Sequence, residues 1–170
     1  MLGYKLDEEH EDLRKSVAEF ARDVVAPVIG DLYEKGEFPY DIVAQMGRMG
    51  LFGLPVAEEY GGMGGDYFAL CLALEELARV DSSVAITLEA GVGLGIMPIY
   101  RFGTEEQKRQ WLPALCAGER LSAFGLTEPG GGTDVAGAMR TRARLEDGQW
   151  VIDGSKSFIT NSGTSITAVV

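Results

Sequence analysis

The sequence predicts an α+β fold, in which an N-terminal all-α helical bundle is followed by the beginning of a β domain. Apolar residues recur at helical spacing as far as Gly118, and an alternating, strand-like pattern replaces that period after Leu121. The charge is also uneven: four basic and five acidic side chains give residues 121–170 a charge of −1, so −10 of the formal −11 precedes them. We therefore expect a helical domain over residues 1–118 and the first part of a β domain over residues 119–170.

The opening helix is predicted by apolar residues at spacings of three and four, among them Leu13, Val17 and Phe20. Asp7 is the expected N-cap, because its carboxylate can accept a hydrogen bond from a free backbone N–H of the first turn. Acidic residues crowd that turn and suit the positive end of the helix dipole. Pro27 is expected to bend or break the helix, since proline lacks the N–H that the helical ladder uses.

Two further helices are predicted from the residues at their ends. Pro39 opens a helix that runs to about Met49, and Gly50 ends it where a left-handed residue is needed. A loop over residues 51–65 follows. Asp66 then caps a helix whose apolar residues leave little polar surface, so we expect that helix to be largely buried.

The segment from Ser82 to Tyr100 has only one charged residue, Glu89, and therefore raises the question of a membrane span. Its glycines and hydroxyl residues favour another interpretation. Glycine lets helices pack closely inside a bundle, whereas it makes a poor lipid-facing surface. We expect this segment to be a packed helix and the protein to have no membrane span.

Thr104 and Gln107 form a capping-box pattern that starts the last predicted helix, and Gly118 ends it. Beyond the glycine-rich loop, residues 139–145 alternate with period two and predict a strand. Residues 146–148 form the expected turn into a second strand that begins at residues 150–152.

Asp153 and Gly154 predict another turn, which leads into residues 157–160, and residues 166–170 again have a strand-like composition. A sheet that stopped there would have an unpaired apolar edge, which natural proteins avoid. We therefore expect this chain to be part of a longer protein.

Composition and charge exclude several classes of function. A net charge of −11 makes nucleic acid and anionic lipid unfavourable partners for the surface as a whole. Cys71, Cys116 and the single histidine, His10, cannot supply a zinc site of normal spacing, so we expect no metal and interpret the cysteines as buried, reduced thiols. The acidic N-terminal segment is not a signal peptide, and the protein is expected to be cytoplasmic.

The segment from Phe124 to Asp134 is the strongest candidate for a binding site. Three consecutive glycines at 130–132 expose backbone N–H groups and let a bulky anion approach, and the hydroxyls of Thr127 and Thr133 add donors. This arrangement suits a pyrophosphate. The alternative is a flexible turn between domains, because glycine-rich loops are common turns.

The residues around that loop resemble the acyl-CoA dehydrogenase family. The resemblance rests first on the sequence LTEPGGGTDVAG at residues 126–137 and on DGSKSFITN at residues 153–161. Several other motifs agree in order and spacing: GLFG at 50–53, EYGGMGG at 59–65, RFGTEEQK at 101–108 and WLP at 111–113.

Membership of this family implies a flavoprotein in which a helical domain, a middle β domain of barrel-like or sandwich form and a C-terminal helical domain enclose FAD. Such enzymes remove hydrogens from the α and β carbons of an acyl-CoA thioester in fatty-acid β-oxidation and pass a hydride to the flavin. An electron-transferring flavoprotein is the implied electron acceptor, and a homotetramer or homodimer is the implied assembly. The C-terminal helical domain does not appear in these 170 residues.

The resemblance also implies the residues of the site. Those implied to contact FAD are Phe124, Leu126, Thr127, Gly132, Thr133, Phe158, Ile159 and Thr160. Of these, Thr133 is also implied to contact acyl-CoA, and the last three form a second wall. An aromatic ring can stack on the flavin, and donors near its reactive nitrogen stabilise the reduced ring. Many relatives have Trp where Phe158 stands, which affects redox tuning more than stacking.

No catalytic residue is assigned within this chain, because the family's base is a carboxylate from the C-terminal domain. Glu128 and Asp134 lie inside the motif, but local capping chemistry favours a role in orienting the loop. The chain alone is therefore expected to bind without turnover. Two alternatives stay open: an acyl-CoA oxidase or flavin monooxygenase of the same superfamily, and a non-catalytic partner subunit that kept the fold.

Overall fold

The computed structural model describes residues 5–164 and 166–170, and the side chains of residues 166–168 are outside the description. Residues 1–4, on which the expectation about a signal peptide partly depends, lie outside the described residues. The α-helices are α1 (Glu8–Phe20), α2 (Ala26–Lys35), α3 (Tyr40–Arg48), α4 (Tyr67–Ala78), α5 (Ser82–Glu89), α6 (Met97–Phe102), α7 (Glu105–Cys116) and α8 (Val135–Ala138). The strands are β1 (Leu121–Phe124), β2 (Arg142–Glu146), β3 (Gln149–Asp153) and β4 (Ile166–Val169).

The first helix begins as predicted, because the Asp7 carboxylate accepts a hydrogen bond of 2.9 Å from the backbone N–H of His10. Of the two outcomes expected at Pro27, a bend or a break, the structure contradicts the break. A π-helical turn over Ala21–Val25 connects α1 directly to α2. Pro27 lies in the first turn of α2, directly after the π-helical turn, so the helix continues past a residue that has no backbone N–H.

The caps of the next helices are also confirmed. Gly50, with φ +75°, follows α3, and the Asp66 carboxylate accepts the N–H of Ala69 at 2.8 Å. The segment predicted as a loop over residues 51–65 contains single 3₁₀ turns at Leu51–Gly53 and Glu58–Tyr60. Its first part belongs to the core, since Leu51 and Phe52 are fully buried.

Helices α1, α4 and α5 pack around one apolar core, and polar links join α1 to α4 at its rim. Arg14 of α1 contacts the buried carboxylate of Glu76 at 3.3 Å. His10 lies between two N-cap carboxylates, with Nδ1 at 2.8 Å from Asp7 and Nε2 at 3.5 Å from Asp66. The Asp7 carboxylate, followed by Asp66, raises the pKa of His10, so the imidazole links the starts of the two helices most strongly in its protonated form.

The expectation that α4 is largely buried is confirmed for its core face, where Leu70, Ala73 and Leu77 are inaccessible. Two of the apolar residues behind that expectation lie on the other face, since Phe68 and Cys71 are exposed. The interpretation of both cysteines as buried is therefore wrong for Cys71. It is confirmed for Cys116, whose thiol has a pKa raised to about 12 by burial.

Residues 82–102 form one long helix, in which a π-helical stretch over Ala90–Ile96 separates α5 from α6. By length and composition this helix could cross a membrane, but 56% of its most apolar window is buried inside the chain. The glycine interpretation is confirmed at Gly95, where a Cβ would overlap the side chain of Ser122 in β1. The absence of a membrane span stays a prediction, because a membrane-spanning helix and a buried core helix can have the same length and composition.

Strands β2 and β3 form the predicted antiparallel hairpin, with Leu145 opposite Trp150. Asp147 (φ +50°) and Gly148 (φ +78°) form its two-residue turn in the left-handed region, which matches the twist of the strands. The structure adds a strand that the sequence did not predict: β1 pairs in parallel with β4, placing Leu121 opposite Ile166.

Replacing Gly95 with alanine tests the close contact between the long helix and β1. Gly95→Ala should lower the free energy of unfolding by about 1–3 kcal/mol, because the added methyl overlaps Ser122 in a packed interface. Gly30→Ala is the matched control, since nothing lies within 4 Å of its Cβ position on the exposed side of α2. It should stabilise the protein by about 0.5–1 kcal/mol through helix propensity. Urea denaturation measures both, and equal effects would contradict the packing.

Candidate functional site

The glycine-rich loop and the segment 156–161 lie side by side, as the resemblance implies for the two walls of a site. The backbone N–H of Ser157 donates to the carbonyl of Thr127 at 2.8 Å. The ammonium of Lys156 donates to the carbonyl of Leu126 at 3.1 Å. Phe124 ends β1 immediately before the loop, and Gly125 donates to Val169 of β4 at 2.7 Å. The loop is therefore fixed at its start and along its length.

A buried carboxylate holds this junction together. Glu128 is 7% exposed and accepts the backbone N–H groups of Arg140 at 2.6 Å and Thr141 at 2.9 Å. The ammonium of Lys156 completes the set at 2.9 Å. The nearby Thr141 hydroxyl, the two backbone donors and Lys156 together lower the pKa of Glu128 to about 2, against the opposing effect of desolvation.

This geometry confirms the interpretation of Glu128 as an orienting residue. A carboxylate with a pKa of about 2, whose oxygens already accept three donors, has little tendency to take a proton from a substrate. Asp134 also acts locally, because its carboxylate accepts the N–H of Gly137 at 2.9 Å and caps α8.

The three glycines form a tight turn with an open outer side. Glu128 and Gly131 exchange backbone hydrogen bonds of 3.0 and 3.2 Å. Among the residues that the structure describes, the N–H groups of Gly132 and Thr133 make no hydrogen bond with the chain. A Cβ at Gly132 would lie 3.2 Å from the methyl of Thr127, so these two predicted residues are neighbours. Thr133 is exposed, and its side chain makes no hydrogen bond within the described part of the chain.

Phe158 has an unusual backbone conformation for an aromatic residue. Its φ is +58°, in the left-handed region where bulky side chains are outliers, and its side chain is 94% exposed. Ile159 beside it is half-buried, whereas Thr160 is exposed. The ring of Phe158 is thus presented outward by a strained backbone, which is the kind of feature that clusters at binding sites.

Two residues of the site were missed by the reasoning from sequence. Lys156 and Asn161 both lie within the DGSKSFITN motif, but no chemistry was assigned to either. Asn161 is buried, has φ +69°, and its amide nitrogen donates to the carbonyls of Ser122 at 3.0 Å and Thr87 at 3.3 Å. No signal in the sequence pointed to these roles, because the partners of both residues are distant in the chain and include backbone carbonyls.

Two family models match the chain, one after the other. The description "Acyl-CoA dehydrogenase, N-terminal domain" matches residues 7–119, and "Acyl-CoA dehydrogenase, middle domain" matches residues 123–170.

Individual relatives agree with the family models. The short-chain specific acyl-CoA dehydrogenase of Clostridium acetobutylicum is 43% identical over 99% of this chain and 44% of its own length. A chain from a structural study of the electron transferring flavoprotein of Acidaminococcus fermentans has a TM-score of 0.95 and 41% identity, over 99% of this chain and 44% of that one.

A third relative is known from a structure with its cofactor. The acyl-CoA dehydrogenase of Bacillus anthracis, complexed with FAD, has a TM-score of 0.92 and 39% identity, over 100% of this chain and 29% of its own. The chain thus spans less than half the length of the relatives that it matches.

Replacing the buried carboxylate tests its structural role through pH. A folded pKa of about 2 lies below the ordinary 4.5, so ionised Glu128 contributes stability above pH 4.5 that is lost as pH falls through about 2. Glu128→Gln should therefore be less stable than wild type at pH 7. The difference between their free energies of unfolding should narrow as the pH falls from 4.5 to about 2. Lys156→Met removes only the last of the contributions that lower this pKa, and should retain most of the pH dependence. Urea denaturation across that range measures the effect, and a constant difference would refute it.

Proposed function

Because this chain belongs to the acyl-CoA dehydrogenase family, we propose that the full-length protein is an FAD-dependent enzyme that removes the α and β hydrogens of an acyl-CoA thioester. The observation that carries the proposal is the junction at Glu128 and Lys156. It places the two segments that the family resemblance assigns to the flavin, 124–133 and 158–160, next to each other.

The residues of this junction fit FAD. The N–H groups of Gly132 and Thr133, which make no hydrogen bond among the described residues, can donate to the diphosphate. An acidic protein must hold such an anion through local donors. Thr127 offers a hydroxyl beside them. The exposed ring of Phe158 provides a surface on which a flat, conjugated ring can stack. The B. anthracis relative, which was solved in complex with FAD, supports FAD as the cofactor.

We assign this chain a binding and positioning role within the reaction. When bound, FAD supplies the acceptor for the hydride. By the family resemblance, Leu126 and Thr127 would hydrogen-bond near its ring system. Ile159 and Thr160 would complete the second wall, and Thr133 would contact acyl-CoA as well as the diphosphate. The family resemblance implies that the base that removes the α-proton is a carboxylate of the C-terminal domain. Glu128, a carboxylate within the loop, is already committed to three donors and is not assigned that role.

The comparisons also support narrower proposals. We place short-chain acyl-CoA thioesters first among the substrates, because the C. acetobutylicum relative is named short-chain specific. The A. fermentans match supports an electron-transferring flavoprotein as the electron acceptor. A homotetramer or homodimer, and a place in fatty-acid β-oxidation, remain proposals that rest on the family.

Adding acyl-CoA to the full-length protein tests the proposed reaction. After loading with FAD, anaerobic addition of butyryl-CoA should bleach the visible flavin absorbance and yield the α,β-unsaturated thioester. Palmitoyl-CoA is the chain-length control and should react more slowly. Rapid reoxidation of the reduced flavin by oxygen would instead indicate an oxidase or monooxygenase. Stoichiometric FAD binding without any bleaching would contradict the dehydrogenase assignment.

Replacing Thr127 tests its assignment to the flavin. Thr127→Val keeps the shape of the side chain but deletes a donor worth about 1 kcal/mol, so FAD should bind roughly fivefold more weakly or its reduction potential should shift. Thr127→Ser keeps the hydroxyl and should behave like wild type. Flavin titration and spectroelectrochemistry measure both properties. Identical affinity and potential in the valine variant would remove Thr127 from the site.

A further inference from the structure

Asn161 joins three parts of the chain that are distant in sequence. It follows directly after Phe158, Ile159 and Thr160, and its amide nitrogen reaches the carbonyl of Thr87 in α5 and that of Ser122 in β1. The side chain is 7% exposed. One buried amide thus fastens the end of the second wall to both the helical domain and the first strand.

The chemistry of these contacts requires a side chain with two donors. Both partners are carbonyl oxygens, so the group that satisfies them together must carry at least two N–H donors, as the amide NH₂ of asparagine does. The amide oxygen of Asn161 accepts no hydrogen bond within the described part of the chain, which means that the side chain is held by its donor end alone. Asparagine also tolerates the left-handed backbone, with φ +69°, that this position adopts.

The two acceptors, the carbonyls of Thr87 and Ser122, lie on a helix and a strand that are bonded to each other. The hydroxyl of Ser122 donates to the carbonyl of Gly91 at 2.5 Å, which joins β1 to the long helix. Gly95 lets the strand approach that helix closely. Asn161 is therefore anchored to a rigid interface, whereas the residues before it are exposed or half-buried.

We propose that Asn161 is a positioning residue for the flavin: by fastening the end of the 158–160 wall to Thr87 and Ser122, it holds the Phe158 ring where the flavin stacks. The wall is fastened at its start by Ser157, whose N–H donates to Thr127. With both ends fixed, the left-handed backbone at Phe158 is maintained without packing around its ring. This inference rests on the proposed function, since it concerns the same flavin site.

Three variants of the full-length protein test the anchor. Asn161→Gly keeps the freedom to adopt a positive φ and removes both donors. Asn161→Asp keeps the shape but replaces the donor group with an oxygen, and it decides the question if the glycine variant does not fold. Thr87→Val is the matched control, because it deletes a buried hydroxyl whose one hydrogen bond among the described residues is to Ser83, and it leaves the Thr87 carbonyl in place.

Flavin titration, flavin fluorescence and the reduction potential are the first measurements. Both Asn161 variants should bind FAD about tenfold more weakly, with altered fluorescence and a shifted potential, because two buried hydrogen bonds are lost. Thr87→Val should match wild type in all three. Wild-type flavin properties in a folded Asn161 variant, or an equal change in Thr87→Val, would overturn the proposal.

Amide hydrogen exchange without FAD separates this inference from the proposed function. The backbone N–H groups of Ser157 and Ser162 donate to Thr127 and Ile159, so they report whether the wall is held at each end. Exchange at these two amides should be faster in the Asn161 variants than in wild type or in Thr87→Val, and unchanged exchange overturns the anchor. A wild-type protein that bound no FAD would refute the proposed function, while the exchange experiment would still decide whether Asn161 holds the wall.

Discussion

The candidate site depends on the ion pair between Glu128 and Lys156. A carboxylate that is almost fully buried is costly unless donors surround it, and here two backbone N–H groups and one ammonium do so. Each donor belongs to a different stretch of the chain from the glycine-rich loop itself. Satisfying one charge therefore fixes the loop against the strand that starts near residue 140 and against the segment that starts at Lys156. Because Lys156 also donates to the carbonyl of Leu126, the loop is held on both sides of Thr127.

The parts of the fold that the sequence predicted are those governed by local contacts. Asp7, Asp66 and Thr104 cap their helices by accepting a hydrogen bond from the backbone N–H three residues later. The cap and its partner can therefore be identified within a short stretch of sequence. The helix across Pro27 was not predicted, because a proline normally ends a helical pattern and the π-helical turn that precedes this one leaves no mark in the spacing of the apolar residues. The strand at Leu121 was missed for a similar reason: it is four residues long and its parallel partner begins at Ile166.

In the candidate site, too, the features within a short motif were predicted and the contacts between distant residues were not. Glycines and hydroxyls in a compact motif indicated where an anion could be held, and the family resemblance supplied the second wall. The roles of Lys156 and Asn161 could not be predicted, because their partners lie 28 to 74 residues away and include backbone carbonyls. A carbonyl acceptor leaves no side-chain pattern in the sequence. Burial of Cys71 was wrongly expected for a related reason, since composition alone does not show which face of a helix meets the core.

Aromatic residues in folded proteins are normally buried and have a negative φ. Phe158 is exposed and has a φ of +58°. A left-handed conformation for such a residue costs about 1–3 kcal/mol, so the bonds on either side of it must supply the compensation. Ser157 bonds to Thr127 before the ring, and Asn161 bonds to Thr87 and Ser122 after it. The first of these anchors lies in the β part and the second reaches the helical part. The position of the ring is thus set jointly by the two parts, because one of its anchors bonds to the Thr87 carbonyl in the helical part.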